Sequence, residues 1–195
     1  MCGSWFWRAS RSCAMHLPMN TLPKSITPEL KSFCQSISPD RPVYVRSKRS
    51  SDSHASACFD NVARKISRAG GSIAYGWAIW HMAGLYFEAE HHGVWRNRRG
   101  DLLDVSPQLG DLTKILFLPD STAVYNPSQF RSNVIAPAND SPVAIEFVAM
   151  AKARNAILDR YRTDEYIAVT LSTADQAALD AITLRLNDLW KLAGK

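Results

Sequence analysis

The sequence predicts an α+β fold: a small antiparallel sheet with a helix packed on it, followed by a helical hairpin. Between residues 58 and 69 the apolar residues recur at intervals of three and four, which is typical of an amphipathic helix. Residues 72–80 and 85–96 alternate between two faces, which is typical of strands. Helical spacing returns after residue 141 and continues to the C-terminus. The chain of 195 residues is long enough to bury a core of its own.

Charge divides the chain into an arm and a folded part. Residues 1–57 carry 8 Lys/Arg and 3 Asp/Glu, a net +5, whereas residues 58–195 carry 15 of each and are neutral. A neutral folded part predicts at most weak nucleic-acid binding through the arm. No apolar run approaches the roughly 20 residues that span a bilayer, so no membrane contact is expected. The expected organisation is a flexible basic arm over 1–42, a core over 43–140 and a C-terminal helical hairpin over 141–195.

The cysteines indicate a reducing compartment. They stand at positions 2, 13, 34 and 58, without a CxxC pair. This spacing does not match a disulfide framework or a zinc finger, so we predict a cytoplasmic protein without a metal or another cofactor.

Shorter elements fill the rest of the chain. A short helix is predicted from a Thr27 cap with Pro28 at its first position, and a strand at 43–45. Strands are also expected at 115–119 and 122–125, and a loop over 126–141. A helix opens at Ser141-Pro142 and ends near residue 162, and a capping box at 173–176 opens the last helix.

The predicted helix that begins at Cys58 has features of a nucleophile helix. Ser56 is a candidate N-cap, and Gly70-Gly71 ends the helix where a left-handed conformation is needed. Cys58 falls in the first turn, where the helix dipole stabilises a thiolate. Asn61 lies one turn further on, and we consider it a side-chain oxyanion donor beside the backbone N–H of Cys58.

The hairpin of strands 85–96 and 101–105 positions the second and third candidate residues. Alternation places His91 on the more apolar face and His92 on the other. A three-residue loop between Arg96 and Gly100 gives a register in which His92 is directly opposite Asp104, close enough for a hydrogen bond. On the preceding strand, the face of small residues, such as Ala74 and Ala78, is expected to receive the helix.

Cys58, His92 and Asp104 together predict a thiol hydrolase or acyltransferase. The thiolate would attack an amide or thioester, His92 would move the proton, and Asp104 would orient the imidazole. Trp77 and Trp95 are candidates for the wall of a substrate cleft. Each of these residues could instead have a purely structural role. Cys58 would then be a buried core residue and His92 a strand residue with its hydrogen bonds satisfied; Asp104 would cap a turn, and the two tryptophans would pack in the core.

The order of these residues resembles a known superfamily. Cys58 in CFDNV, His92 in EAEHHGVW and Asp104 in DLLDVSP resemble the Cys–His–Asp order of the papain-like and transglutaminase-like cysteine hydrolases. The sequence over about residues 57–120 is also similar to those of a group of uncharacterised bacterial and phage proteins. The resemblance implies a papain-like fold and a substrate with an amide or thioester bond, peptides included.

Two other functions stay open on the sequence. One is a zinc site made from Cys58, one of the adjacent histidines and Asp104, although the two histidines point to opposite faces of a strand. The other is a non-catalytic interaction domain tethered by its basic arm. The sequence does not indicate an oligomeric state.

Overall fold

The computed structural model describes residues 20–108, 110, 112–129, 131–161 and 170–194. Over these residues the chain is α+β, as predicted. Its helices are α1 (Pro28–Gln35), α2 (Cys58–Ala69), α3 (Pro142–Asp159) and α4 (Thr173–Ala193). Its strands are β1 (Val43–Ser47), β2 (Ser72–Met82), β3 (Tyr86–Arg96), β4 (Leu102–Asp104), β5 (Lys114–Pro119) and β6 (Val134–Pro137). The described residues form two compact units, one made of 20–81 and 87–134 and the other of 82–86 and the residues from 135 onward.

The first unit is built on a closed barrel of five strands. The strand order is β2-β5-β1-β4-β3, and pairing of β3 with β2 closes the ring. β1 runs parallel to β4, whereas the β1–β5, β2–β5 and β3–β4 pairs are antiparallel. The sheet is therefore mixed and closed, not the small antiparallel sheet predicted. Alternation along each strand predicts its faces, but it carries no information on closure, which depends on pairing between segments distant in the chain.

Part of the barrel interior is lined by an apolar cluster. Ala74 and Ala78 of β2 pack there in a cluster completed by Val45, Val94, Ile115 and Phe117. The small-residue face of β2 therefore faces the barrel interior, where space is short, and not α2 as expected. α2 packs on the outer face of β2, where its Phe59 contacts Ile73 and Tyr75.

Helix α2 has the predicted bounds but begins differently. Its N-cap is Ala57, which makes no side-chain cap hydrogen bond, and the candidate cap Ser56 is in the left-handed region with φ 59°. At the other end Gly71 has φ 89°, and a Cβ there would lie 2.3 Å from the carbonyl oxygen of Arg96. Glycine is therefore required where the chain turns from α2 into β2.

Residues 20–42, predicted as part of the arm, are folded in the structure. The Thr27 side chain caps α1 by accepting a hydrogen bond from the Leu30 N–H, as predicted. Leu30, Phe33 and Cys34 are buried, and the Phe33 ring lies 5.7 Å from that of Phe87 in β3. The rest of the predicted arm, residues 1–19, lies outside the described residues.

The second unit contains the two C-terminal helices, which pack on each other. Arg185 of α4 forms two hydrogen bonds to the Glu146 carboxylate of α3, at 2.6 and 2.7 Å. Apolar residues of both helices share one cluster, which includes Phe147, Val148, Ala151, Leu186 and Leu189. This packing agrees with the predicted helical hairpin, although part of the connection lies outside the described residues. α4 is capped by Ser172, which accepts from the Asp175 N–H, and not by Thr173.

Two other predictions on secondary structure differ from the structure. Residues 122–125 form no strand, whereas β6 lies within the predicted loop. Among the described residues no helix is long and apolar enough to cross a membrane.

Candidate functional site

His92 and Asp104 form a buried pair inside the barrel. The Nε2–H of His92 donates to Oδ1 of Asp104 over 3.2 Å, and the two residues are 4% and 0% exposed. The predicted register is wrong by two residues, because Trp95 and not Gly93 is opposite Leu103. A shift of two residues leaves every side chain on the same face, so the predicted contact still forms, along the diagonal of the ladder.

Asp104 is held in place by three further donors. Its Oδ2 accepts from the Ser47 hydroxyl at 2.8 Å and from Gln108 Nε2 at 2.7 Å, and its Oδ1 accepts from the Ser106 N–H at 3.1 Å. Burial alone would raise the pKa of this carboxyl. The hydrogen bond and charge of His92, with the hydrogen bonds from Ser47 and Ser106, outweigh burial and lower the Asp104 pKa.

Glu90 is a third ionisable group of the barrel interior. It is 8% exposed and accepts a hydrogen bond of 2.9 Å from the Trp80 indole N–H. Burial raises the pKa of Glu90, and the charge of His92 offsets this only in part. Burial would lower the pKa of His92, but Asp104 and then Glu90 reverse the effect and raise it. The alternation of Glu90 with His92 in EAEHH places both on one face, and this signal could have identified Glu90 from the sequence.

Cys58 is the first residue of α2 and is 1% exposed. It packs in a cluster with Phe59, Ile73, Tyr75 and Tyr125. In the structure its sulfur is part of a disulfide bond, so any thiol chemistry concerns the reduced form. The Phe59 ring of the same cluster lies 4.8 Å from the imidazole of His91. The cluster is therefore on the His91 face of β3, and His92 points to the opposite face.

Asn61 connects the first turn of α2 to Asp104. Its Nδ2 donates to the Ser106 hydroxyl at 3.1 Å and to the His54 carbonyl at 2.8 Å. Its Oδ1 accepts from the His54 N–H and from Arg64. Because both amide hydrogens are used, Asn61 positions neighbouring segments in this structure, and it has no donor to offer an oxyanion.

His91 links β3 to the segment that follows β5. Its Nε2–H donates to the carbonyl of Ala123 over 2.6 Å, and its ring lies 5.5 Å from that of Trp77. Burial lowers the pKa of His91, and the hydrogen bond to Ala123 compensates only in part. Tyr125, two residues after Ala123, stacks on Phe59 with 4.1 Å between ring centres. This segment therefore covers the cluster that contains Cys58.

Trp77 and Trp95, the predicted cleft residues, both make internal hydrogen bonds. The Trp77 indole donates to Asp120 Oδ2 at 2.9 Å, and Trp77 is 4% exposed. The Trp95 indole donates to the Gly70 carbonyl at 2.8 Å, and Lys65 lies over its ring. Trp77 therefore lies beside His91, whereas Trp95 holds the C-terminal end of α2 against β3.

Among the described residues, no group of three or more His, Cys, Asp or Glu side chains is arranged to hold a metal ion. Comparison with known proteins found no matching protein family, curated protein or solved structure.

Proposed function

We propose that this protein is a cytoplasmic thiol hydrolase or acyltransferase that acts on an amide or thioester bond. Cys58 is the nucleophile, His92 the base and Asp104 the orienting acid. The observation that carries the proposal is a chain of hydrogen bonds that runs from Asn61 to Ser106, from Ser106 to Asp104 and from Asp104 to His92. This chain links Asn61, one turn after Cys58 in α2, to the buried acid–base pair.

Each residue has a defined chemical role in this proposal. The start of α2 favours the thiolate form of Cys58, because the helix dipole is positive there. With Nε2–H donated to Asp104, Nδ1 of His92 is the nitrogen that takes the thiol proton. Because Cys58 packs on the His91 face of β3 and His92 faces the barrel interior, this transfer requires the start of α2 to move toward His92. The thiolate attacks the carbonyl carbon, and His92 returns the proton to the leaving amine or thiol. Water or a second nucleophile then takes the acyl group from the sulfur.

The oxyanion donors are backbone groups in this proposal. The first N–H groups of a helix have no carbonyl partner within the helix, and those of the first turn of α2 lie next to Cys58. Asn61 is a positioning residue in this proposal, because its side chain holds this turn of α2 against Ser106. The order of Cys58, His92 and Asp104, which resembles that of papain-like hydrolases, supports the same assignment.

Access to Cys58 requires a movement. The residue is 1% exposed and Tyr125 stacks on the neighbouring Phe59, so a substrate reaches the sulfur only when the segment of Tyr125 moves away. The groups that would line the opened site, Phe59, Tyr75 and Tyr125, are aromatic. An acyl group with an apolar side chain fits this lining better than a charged one.

The test is the rate of alkylation of each cysteine by iodoacetamide as a function of pH, measured by mass spectrometry on the reduced protein. Cys58 should react fast below neutral pH, and His92→Ala should abolish that acid-shifted reactivity. The control His81→Ala removes a histidine that contacts Thr21 at the end of β2 and should leave the profile unchanged. Unchanged reactivity in His92→Ala, or loss in His91→Ala alone, would contradict the proposed base.

A second candidate is a non-catalytic interaction domain, and the placement of Cys58 favours it. The cysteine packs among aromatic side chains on the His91 face, and His92 faces the barrel interior. This candidate predicts that Cys58 is protected from iodoacetamide in the folded, reduced protein and that its reactivity does not depend on either histidine.

A further inference from the structure

The outer surface of the first unit is more basic than its sequence suggests. Four of its acidic side chains, those of Glu88, Glu90, Asp104 and Asp120, are at most 8% exposed. The basic residues, by contrast, stay on the surface. Among the described residues of this unit, exposed basic side chains therefore outnumber exposed acidic ones, an excess on the surface that a count over the sequence conceals.

Part of this charge is arranged in one row on the outer face of the barrel. Lys114 of β5 is paired with Arg46 of β1, and Arg46 is paired with Leu103 of β4. Leu103 is in turn paired with Trp95 of β3, and Lys65 of α2 lies 4.9 Å above the Trp95 ring. Four neighbouring strands are spaced by about 4.8 Å, so the row crosses about 14 Å of the barrel wall.

Both ends of the row combine a cation with an aromatic ring. At one end Lys114 lies 4.7 Å above the ring of Tyr44, which is 37% exposed. At the other end the Arg98 guanidinium lies against Gly70, whose carbonyl accepts the Trp95 hydrogen bond. Leu103, which is half-buried, forms an apolar floor between Arg46 and Trp95.

The cations of the row are available to an anionic partner. Asp52 forms ion pairs with Arg64 and Arg68. Among the described residues, no carboxylate forms an ion pair with the four cations of the row, Arg46, Lys65, Arg98 and Lys114. The acidic side chain of the adjacent hairpin, Asp101, accepts a hydrogen bond from Asn97. The four cations of the row are exposed or half-exposed.

We propose that this row, defined by Lys114, Arg46, Leu103, Trp95, Lys65 and Arg98 with Tyr44 at its edge, binds single-stranded nucleic acid. Separated cations fit the regular phosphates of an extended strand, and aromatic rings between them accept unpaired bases by stacking. An acidic protein surface would engage the cations without using the rings. A duplex would present phosphates without free base faces.

The test is fluorescence anisotropy of a labelled oligothymidylate of about 15 nucleotides with the full chain, titrated at several salt concentrations. Four phosphate contacts on a single strand predict a slope of log K against log salt of about −3, which is an affinity loss of about 50-fold between 50 and 200 mM salt. The double variant Arg46→Ala/Lys114→Ala should reduce the steepness of that slope by about 1.4. Tyr44→Ala should weaken binding and leave the slope unchanged.

The matched control is Lys31→Ala/Lys152→Ala, which removes the same charge from α1 and α3. It should bind like the wild type. If Arg46→Ala/Lys114→Ala binds no worse than this control, the basic residues near the N-terminus carry the binding and the proposal is overturned. Displacement of the oligonucleotide by polyaspartate of equal charge as readily as by unlabelled oligothymidylate would also overturn it, because the bases would then contribute nothing.

Discussion

The Nε2 atom of His92 lies 3.2 Å from Oδ1 of Asp104, although the two residues are offset by two positions along the β3–β4 ladder. The contact follows a diagonal of the ladder, which long side chains can span. The parallel pairing of β1 with β4 places Ser47 directly beside Asp104, and the Ser47 hydroxyl also donates to its carboxylate. The acid–base pair is therefore fixed by three strands and not by the hairpin alone.

This arrangement predicts how stability depends on pH. The pKa of His92 is raised in the folded protein. Its contribution to stability is therefore complete below its unfolded-state pKa of about 6.5 and is lost as pH rises through its folded-state pKa. The pKa of Asp104 is lowered, so its contribution is present above about 4 and is lost as pH falls through the folded pKa. Asp104→Asn should therefore lose most stability between about pH 4 and 6.5, by about 3–5 kcal/mol.

Urea denaturation at a series of pH values measures this difference. Part of the stability loss should persist at all pH values. The side-chain amide that Asp104→Asn introduces would place an N–H donor where Asp104 now accepts from Gln108, so two donors would face each other. Asp140→Asn is the control, since this residue is exposed and should show a small difference without a maximum. A wild-type–variant difference that stays constant from pH 4 to 9 would show that the pair is not charged in the folded protein.

Asn61→Ala should destabilise the protein by about 1–3 kcal/mol. The substitution leaves the backbone groups of His54 and the hydroxyl of Ser106 without their amide partner. Gln176→Ala, which removes an exposed side-chain amide from α4, should cost a few tenths of a kcal/mol at most. The midpoints of thermal and urea unfolding give the comparison. Equal effects of the two substitutions would show that Asn61 does not tie α2 to the Asp104 region.

Local patterns were sufficient to predict the helix of Cys58 and the faces of β3. The periodicity of residues 58–69 gave α2 its bounds, and the alternation in EAEHH separated His91 from His92. Alternation did not indicate that the polar face of β3 is buried. It is buried because the barrel closes around Glu90 and His92, and closure depends on the long-range pairs of β1 with β4 and β5.

Residues 122–125 show how tertiary hydrogen bonds override a strand pattern. The Asp120 carboxylate accepts from both the N–H and the hydroxyl of Thr122, and thereby holds a turn directly after β5. The carbonyl of Ala123, which a strand partner would otherwise use, accepts from His91. His91 is far from Ala123 in sequence, so the alternation of Thr-Ala-Val-Tyr predicts a strand that the fold does not form.

Cys34 should be inert in the folded protein. It is fully buried in α1, and burial raises the pKa of its thiol to about 11. Because the thiolate is the reacting form, iodoacetamide at pH 8 should modify Cys34 only when the protein unfolds. The rate of its modification should therefore rise with urea in parallel with the unfolded fraction. Fast modification of Cys34 without urea would show that residues 20–42 detach from the barrel.

Gly93→Ala should loosen the packing of α2 on the barrel. A Cβ at this position would lie 2.9 Å from Cδ1 of Ile73 and 2.9 Å from Cδ1 of Phe59. Phe59 has little room to move, because Tyr125 stacks on one side of its ring and His91 lies close by. The expected cost is about 1–3 kcal/mol in the free energy of unfolding.

Ile73→Val provides the matched test of this packing, because it removes one of the two atoms that the new methyl group would meet. Alone, it should cost about 0.5–1.5 kcal/mol through the lost methyl group. Combined with Gly93→Ala, it should cost clearly less than the sum of the two single substitutions, with a coupling of about 0.5 kcal/mol or more, since the residues share one contact. Urea unfolding of the wild type, the two single variants and the double variant measures this coupling as a double-mutant cycle. Strict additivity would mean that α2 does not press its Phe59 against β3 at Gly93 as the structure shows.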